Sequence, residues 1–280
     1  MAGLTTDTRT VLVLGAGVGG VVAATRLRRL LPARHRVTLI ERDREQVFQP
    51  SLLWVAVGKR NPERIKRPLE RLRRTGIDVV IGEIAAIDAT ARSVRVGENE
   101  LHGDAMIIAL GAELIPESVP GLSQAGFNVY AMDGAVGLRN ALATFRGGRV
   151  VVLTATPAYK CPAAPYEAAM LIEATLRHHN VRGASEIALY AAEPAPMGVA
   201  GPNVSLAVKQ AVEAKGIHYY PQHQVTRVDA TNRRLEFANG ATAEFDLLAY
   251  VPPHRAPRVV RDAALTSANG WIDVDRFTFA

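Results

Sequence analysis

Short apolar stretches alternate with stretches of helical spacing at the start of the chain. Residues 9–14 form an apolar, β-branched run that predicts a strand, residues 18–31 have apolar positions at helical intervals, and residues 36–40 predict a second strand. A strand, a helix and a strand in this order indicate a βαβ unit, in which the two strands run parallel.

The same order of elements occurs twice along the chain. The first cycle continues with a predicted amphipathic helix at 64–75, a strand at 78–81, an antiparallel hairpin at 85–101 and a buried strand at 104–110. About 135 residues later a second cycle predicts strands at 150–153, 186–191, 224–229, 234–237 and 243–251, and helices at 166–178 and 203–215. The dipeptide Asn239-Gly240 marks a hairpin turn between the last two strands.

This repetition predicts an α/β fold made of two Rossmann-like dinucleotide-binding domains. Each domain is expected to be three-layered, with a parallel sheet and an antiparallel hairpin insertion. The predicted boundaries are 1–115 for the first domain, 116–250 for the second, and 251–280 for a segment that returns to the first domain.

Composition narrows the classes of partner. The chain has 280 residues and a net charge of +6, which suits an acidic partner or an anionic membrane surface. Its arginines are scattered over predicted helix faces without a nucleic-acid motif, so we expect no nucleic-acid partner. No metal-ligand spacing is present, so we expect no metal ion. No apolar signal sequence or membrane-spanning run is present either, which favours a cytoplasmic or peripheral membrane location.

A glycine-rich turn connects the first predicted strand and helix. It reads GAGVGG over residues 15–20, and Glu41 follows 21 residues after Gly20, at the end of the next strand. In such a turn Gly15 permits the bend, Gly17 lets a pyrophosphate approach the backbone, and Gly20 lets helix and strand pack closely. Glu41 is expected to accept hydrogen bonds from ribose hydroxyls, although a purely structural turn with an exposed glutamate is the alternative.

A second feature distinguishes FAD from NAD as the expected nucleotide. The strand at 104–110 ends in a small turn at Gly111, and this segment resembles the one that crosses back over the cofactor in glutathione-reductase-like FAD proteins. We therefore predict FAD, with Gly111 among the binding residues.

The corresponding turn of the second cycle, residues 154–167, contains no glycine and three prolines. Prolines remove N–H donors, and a phosphate cradle needs free N–H groups, so nicotinamide binding is predicted to be lost. The loop instead carries Cys161, the one cysteine of the chain, next to Lys160 and ahead of a predicted helix. Both the helix dipole and Lys160 would favour the thiolate, although a lone cysteine is more often a small buried residue.

At these residues the chain resembles the sulfide:quinone oxidoreductase and flavocytochrome c sulfide dehydrogenase family. The resemblance runs over nearly the whole chain and rests on the segments 15–20, 49–58, 160–167, 251–257 and 270–275. The segment KCPAAPYE at 160–167 is the most specific of them and is closer to the flavocytochrome c side.

The resemblance implies an enzyme in which sulfide attacks a cysteine pair beside the flavin, forms a persulfide, and delivers two electrons to FAD and then to a quinone or cytochrome c. Cys161 matches the first cysteine of that pair, and Pro50 and Ser51 match the segment near the flavin ring. Glu167, in the first turn of the predicted helix, is a candidate proton acceptor for sulfide, or a surface acid that complements the helix dipole. A peripheral membrane site and a homo-oligomer are compatible with this family.

The chain departs from the family at three places. Residues 127–133 lack a further cysteine, residues 194–201 lack a histidine for quinone reduction, and the family continues beyond Ala280 with a last FAD strand, the partner cysteine and an amphipathic membrane-docking segment. We therefore expect a fragment with little turnover on its own. An NADH:quinone oxidoreductase of the same fold and a nonenzymatic flavin-binding protein are the alternatives, which NADH and anaerobic sulfide additions distinguish.

Overall fold

The computed structural model describes residues 7–279. The strands are β1 (Thr10–Leu14), β2 (Arg36–Glu41), β3 (Glu45–Val47), β4 (Lys66–Pro68), β5 (Asp78–Ile81), β6 (Ile84–Asp88), β7 (Ser93–Val96), β8 (Asn99–His102), β9 (Ala105–Ile108), β10 (Glu113–Leu114), β11 (Phe127–Asn128), β12 (Gly148–Thr154), β13 (Ser185–Tyr190), β14 (Ile217–Tyr220), β15 (Val225–Asp229), β16 (Arg234–Phe237), β17 (Thr242–Glu244), β18 (Leu247–Val251) and β19 (His254–Arg255). The α-helices are α1 (Val18–Leu30), α2 (Leu52–Ala56), α3 (Leu122–Ala125), α4 (Met132–Thr144), α5 (Ala164–His178), α6 (Pro202–Glu213) and α7 (Arg258–Asp262).

The chain divides into two compact units. Of the described residues, the first unit holds 7–48, 66–113 and 255–279, and the second holds 49–65 and 114–254. The segment 49–65 lies in the second unit because α2 packs on α4 and α5. The sequence predicts that this segment belongs to the first domain, to which it assigns the range 1–115. The compact units therefore differ from the predicted domains in where residues 49–65 belong.

The first unit is built on a four-stranded parallel sheet in the order β5-β2-β1-β9. Side chains of successive strand residues point to opposite faces of a sheet, and the core follows this alternation. Val13 and Leu39 pack on the side of α1, whereas Leu12 and Ile40 pack on the side of the antiparallel strands β6-β7-β8 and α7. The unit therefore has three layers around the sheet.

The second unit repeats this plan with a five-stranded parallel sheet in the order β11-β18-β12-β13-β14. One face, including Leu153 and Tyr250, packs against Leu235 and Phe237 of the antiparallel sheet β15-β16-β17, while α5 packs on β12 and β13. In both units the third, second, first and fourth parallel strands of the cycle lie side by side, as in half of a Rossmann fold. The predicted α/β class with parallel sheets and antiparallel insertions is confirmed.

Several predicted elements differ in detail. The amphipathic helix predicted at 64–75 is wrong as one element, because Lys66–Pro68 is strand β4, paired with β3, and only Leu69–Thr75 is a 3-10 helix. The hairpin at 85–101 is a three-stranded meander, and the strand at 243–251 is two strands in different sheets. The turn at Asn239-Gly240 is confirmed, since Gly240 has φ +82° between β16 and β17.

Helices α2 and α4 and strand β14 were not predicted from the sequence. Among residues 7–279, none of the helices combines the length and the apolar character that crossing a bilayer requires.

Candidate functional site

The glycine-rich turn lies between β1 and α1, at the carboxyl edge of the first sheet. Gly15 has φ +94°, and a Cβ added there would lie 2.6 Å from the carbonyl oxygen of Ala109. A Cβ added at Gly20 would lie 1.8 Å from the carbonyl oxygen of Gly15, so α1 reaches β1 only because this residue lacks a side chain. A Cβ added at Gly17 would meet no heavy atom within 4 Å, which leaves open space in front of the helix N-terminus.

Glu41 is brought directly to this turn. It ends β2, and its Oε2 accepts a hydrogen bond of 2.7 Å from the backbone N–H of Ala16, while Oε1 accepts one of 2.9 Å from the N–H of Arg42. A half-buried carboxylate fixed in this way still has lone pairs for ribose hydroxyls. The structure thus joins the two parts of the predicted nucleotide motif.

Strand β9 also ends at the carboxyl edge of the first sheet, beside the glycine turn. It pairs with β1, and the N–H of Ala109, just after the strand, donates to the carbonyl of Leu14 at 2.8 Å. Gly111 follows two residues later with φ +70° and open space where a side chain would be. The four predicted residues Gly15, Gly17, Gly20 and Glu41 and the turn at Gly111 therefore lie in one unit, at strand ends where open α/β sheets bind ligands.

Cys161 lies in the loop between β12 and α5 of the second unit. Its side chain is exposed, which excludes the alternative of a small buried cysteine. Its φ is +57°, a conformation that residues other than glycine seldom adopt, and its carbonyl accepts a 3.0 Å hydrogen bond from the N–H of Ala164, where α5 begins. The helix starts two residues earlier than predicted, so the thiol precedes its first turn by three residues.

Side chains from distant segments fix this loop. The hydroxyl of Tyr130 donates to the carbonyl oxygens of Lys160 and Cys161, at 2.7 and 3.1 Å. The ammonium of Lys160 donates to Oε1 of Gln49 at 2.9 Å and lies 5.9 Å from the centre of the Tyr130 ring. Burial holds the pKa of Lys160 below its usual value.

This contact places the segment of Pro50 and Ser51 at the cysteine loop, because Gln49, Pro50 and Ser51 form one 3-10 turn. Pro50 is exposed and Ser51 half-buried. The structure thus brings Pro50 and Ser51 together with Cys161 in the second unit, while the predicted FAD glycines belong to the first unit.

His254 packs edge-on against Tyr130, with 5.6 Å between the ring centres. Its Nδ1 lies 2.8 Å from the carbonyl oxygen of Pro252, which can only accept, so Nδ1 carries the proton. Its Nε2 is buried and, among residues 7–279, has no hydrogen-bond partner. Burial lowers the pKa of His254, and the charge of Lys160 contributes to the same direction.

Glu193 is a buried acid beside the cysteine loop, and the sequence reasoning did not single it out. Its carboxylate accepts hydrogen bonds from the hydroxyls of Thr154, at 2.7 Å, of Tyr166, at 2.7 Å, and of Tyr159. Burial, followed by the charge of Glu193, raises the pKa of both tyrosines. Glu193 lies shortly after β13, the second parallel strand of its cycle, whereas Glu41 is the last residue of β2. This similarity of position is the signal that could have identified it.

Glu167 lies in the first turn of α5, as predicted, where a negative charge complements the helix dipole. It is half-buried, so it is not the fully exposed surface acid of that alternative. Whether it also accepts a proton stays a prediction. No cluster of histidine, cysteine and carboxylate side chains suited to a metal ion occurs in the described part of the chain.

Residues 9–278 match the pyridine nucleotide-disulphide oxidoreductase family, and the chain belongs to this family. It is 25% identical over 281 residues to the mitochondrial sulfide:quinone oxidoreductase of Mus musculus, covering 96% of this chain and 62% of that protein. The X-ray structure of the sulfide:quinone oxidoreductase from Aquifex aeolicus superimposes with a TM-score of 0.83 at 23% identity, over 94% of this chain and 63% of that one.

A shorter match involves the type II NADH:quinone oxidoreductase of Staphylococcus epidermidis, with 27% identity over 125 residues, 44% of this chain and 31% of that protein. The matches to the mouse and Aquifex aeolicus proteins confirm the predicted resemblance to sulfide:quinone oxidoreductases. The chain spans 62% of the length of the mouse relative. The family consists of flavin-dependent oxidoreductases, so the prediction of FAD as the cofactor and of an enzyme is confirmed at the level of the family.

Proposed function

We propose that this protein oxidises sulfide at Cys161 and passes two electrons through FAD to a quinone. The observation that carries the proposal is the exposed cysteine in a proline-rich loop, at the place where a nucleotide-binding glycine turn would follow β12. The similarity to sulfide:quinone oxidoreductases supports the same substrate and acceptor. Cytochrome c is the alternative acceptor, and a quinone acceptor would locate the protein at a membrane surface.

FAD fits the first unit because the open space at Gly17 and the carboxylate of Glu41 lie where a diphosphate and a ribose would bind. Gly15, Gly20 and Gly111 would shape the cradle, and Pro50 and Ser51 are proposed to lie near the flavin ring. When bound, FAD supplies a two-electron acceptor for the sulfur chemistry.

The proposed sulfur step uses Cys161 in a disulfide with a second thiol. A hydrosulfide ion attacks the sulfur of Cys161, the S–S bond breaks, Cys161 keeps the added sulfur as a persulfide, and the second thiol leaves as a thiolate. The outer sulfur then leaves to a second hydrosulfide ion, the two thiolates re-form the disulfide, and the two electrons that this releases are those that FAD would accept. Glu167 is proposed to accept the proton that sulfide loses. In the net reaction sulfide loses two electrons and a quinone gains two electrons and two protons.

Binding of a nicotinamide nucleotide in the second unit is disfavoured by two features. The loop after β12 has prolines where backbone N–H groups would cradle a phosphate. The carboxylate of Glu193, the acid near the place where a ribose acceptor would lie, is buried and accepts hydrogen bonds from Thr154, Tyr159 and Tyr166. Both features count against the NADH:quinone oxidoreductase alternative.

The test is an anaerobic addition of sulfide to the FAD-loaded protein, with Cys161 first converted to a mixed disulfide with a small thiol. We expect the flavin absorbance to bleach in the wild type but not in Cys161→Ser, which should retain FAD. Glu167→Gln should slow the bleaching if Glu167 accepts the proton, and leave it unchanged if Glu167 serves only the helix dipole.

Equal bleaching of Cys161→Ser would overturn the proposal. Bleaching by NADH with saturable binding would instead favour the NADH:quinone oxidoreductase. Because the 280 residues contain one cysteine, many turnovers by this chain alone would contradict the disulfide step.

A further inference from the structure

Two arginine-rich stretches of the sequence, 26–29 and 71–74, lie on the same side of the first sheet. The first stretch belongs to α1, and the second belongs to the 3-10 helix that follows β4. Leu27 and Leu72, one from each stretch, pack against a single core cluster on that side of the sheet. The fold of the first unit therefore joins two basic segments that are far apart in the sequence.

Two of the arginines hold these elements in place. Arg28 donates to backbone carbonyls of the residues that follow α1, and its Cδ lies 3.3 Å from the position of a Cβ at Gly76, just after the 3-10 helix. Arg73 forms an ion pair of 2.7 Å with Glu70 and donates to the carbonyl of Val79. These two side chains therefore serve the fold itself.

The other arginines of the two stretches are exposed, and none of them joins a carboxylate within residues 7–279. They are Arg26, Arg29, Arg71 and Arg74. The sequence around them supplies little negative charge, because residues 8–40 contain six arginines and no acid, and Glu70 is paired with Arg73. This surface, called the arginine face below, is therefore positively charged and attracts anions.

Exposed aliphatic side chains accompany the arginines. Val22, Arg26 and Arg29 follow one another on α1 at intervals of four and three residues, so they share one side of the helix. Val22 is 55% exposed, and Leu30, next to Arg29, is 72% exposed. Aliphatic side chains among cations are typical of helices that lie at a membrane interface. Neither stretch contains the aromatic side chains on which nucleic-acid bases would stack.

We propose that the arginine face docks the protein on a membrane that contains anionic phospholipids. The arginines lie at the lipid phosphates, and Val22 and Leu30 enter the headgroup region. The inference goes beyond the proposed function, which needs a membrane for its quinone but assigns no surface of the protein to it.

Sedimentation with lipid vesicles tests the proposal on the FAD-loaded protein. The wild type should bind vesicles of phosphatidylcholine and phosphatidylglycerol but not vesicles of phosphatidylcholine alone, and added salt should release it, a measurement that needs no variant to fold. One cation near an anionic membrane strengthens binding about fivefold, so Arg26→Gln with Arg29→Gln should weaken it about 30-fold, and Arg71→Gln with Arg74→Gln about equally. Leu30→Ser should weaken it about tenfold without any change in charge, because an aliphatic side chain is no longer buried.

Lys59→Gln with Arg60→Gln is the matched control. Both residues are exposed cations of the second unit, and the double variant changes the net charge as much as either arginine pair does. Its affinity for the vesicles should stay within about twofold of the wild type, because a charge more than a Debye length from the lipid is largely screened.

Equal binding to neutral vesicles, unchanged binding in both arginine pairs, or an equal loss in the control pair would overturn the proposal. Unchanged binding of Leu30→Ser would also contradict it, because the contact would then be one of charge alone. Binding to polyglutamate or to an oligonucleotide under conditions in which vesicles are not bound would replace the membrane with a protein or nucleic-acid partner. If vesicles bind as expected and sulfide fails to bleach the flavin, the arginine face stands and the proposed function fails.

Discussion

A bulky residue at Gly17 should abolish FAD binding without unfolding the protein. Gly17 has φ −64° and ψ −175°, a conformation open to any residue, and an added Cβ meets no heavy atom within 4 Å. Gly17→Leu should therefore cost the apoprotein at most about 1 kcal/mol, the penalty for a poor N-cap residue. The same side chain would fill the space that the pyrophosphate needs.

Gly20→Ala should behave in the opposite way. Its Cβ would lie 1.8 Å from the carbonyl oxygen of Gly15, and a backbone atom cannot move aside as a flexible side chain can. Overpacking of this kind costs about 3 kcal/mol or more, so the apoprotein itself should be destabilised. The two glycines thus separate a binding role from a packing role within one turn.

The assay measures thermal unfolding with and without FAD, together with the flavin content of the purified protein. FAD at 100 times its Kd should stabilise the wild type by about 2.7 kcal/mol and Gly17→Leu not at all. Gly183→Leu is the control, since Gly183 lies in the second unit with equally open space. If Gly17→Leu purifies with as much flavin as the wild type, the pyrophosphate assignment is wrong.

Two further predictions concern buried groups of the second unit. Glu193→Ala should lower the free energy of unfolding by about 3 kcal/mol, because the hydroxyls of Tyr159 and Tyr166 lose their acceptor. Glu193→Gln keeps an acceptor oxygen, so its free energy of unfolding should fall less, and denaturant titration measures both variants. Because burial lowers the pKa of His254, the unfolded chain binds this proton more readily than the folded one, so stability should fall as the pH drops below about 6.5. His254→Gln should reduce that slope, and an unchanged slope in pH-dependent thermal unfolding would refute the assignment.

The first site could be predicted because its determinants are local. The turn at Gly15 to Gly20 and the acid at Glu41 belong to one βαβ unit, whose geometry fixes their distance once the strands are recognised. The structure joins them through the hydrogen bond from the N–H of Ala16 to Glu41.

The surroundings of Cys161 could not be predicted in the same way. Gln49 and Lys160 are 111 positions apart, and Tyr130 and Cys161 are 31 apart in segments that share no periodic pattern. Their contacts depend on α2 packing against α4 and α5, and α2 and α4 left no clear signal in the apolar pattern. The helix predicted at 64–75 failed for a related reason, because the pairing of β4 with β3 overrides local helical spacing.

Each unit has a glutamate near the carboxyl end of its second parallel strand, and the two glutamates have different surroundings. Glu41 accepts from backbone N–H groups and stays half-buried beside a glycine turn, so its carboxylate can also receive ribose hydroxyls. Glu193 is buried and accepts from the hydroxyls of Tyr159 and Tyr166. We therefore expect that glycines introduced into the loop after β12 would not produce nucleotide binding by themselves, because the carboxylate of Glu193 would remain buried. The same two tyrosines flank the segment of Cys161 in the sequence, so their hydrogen bonds to Glu193 anchor both ends of the segment that carries the exposed thiol.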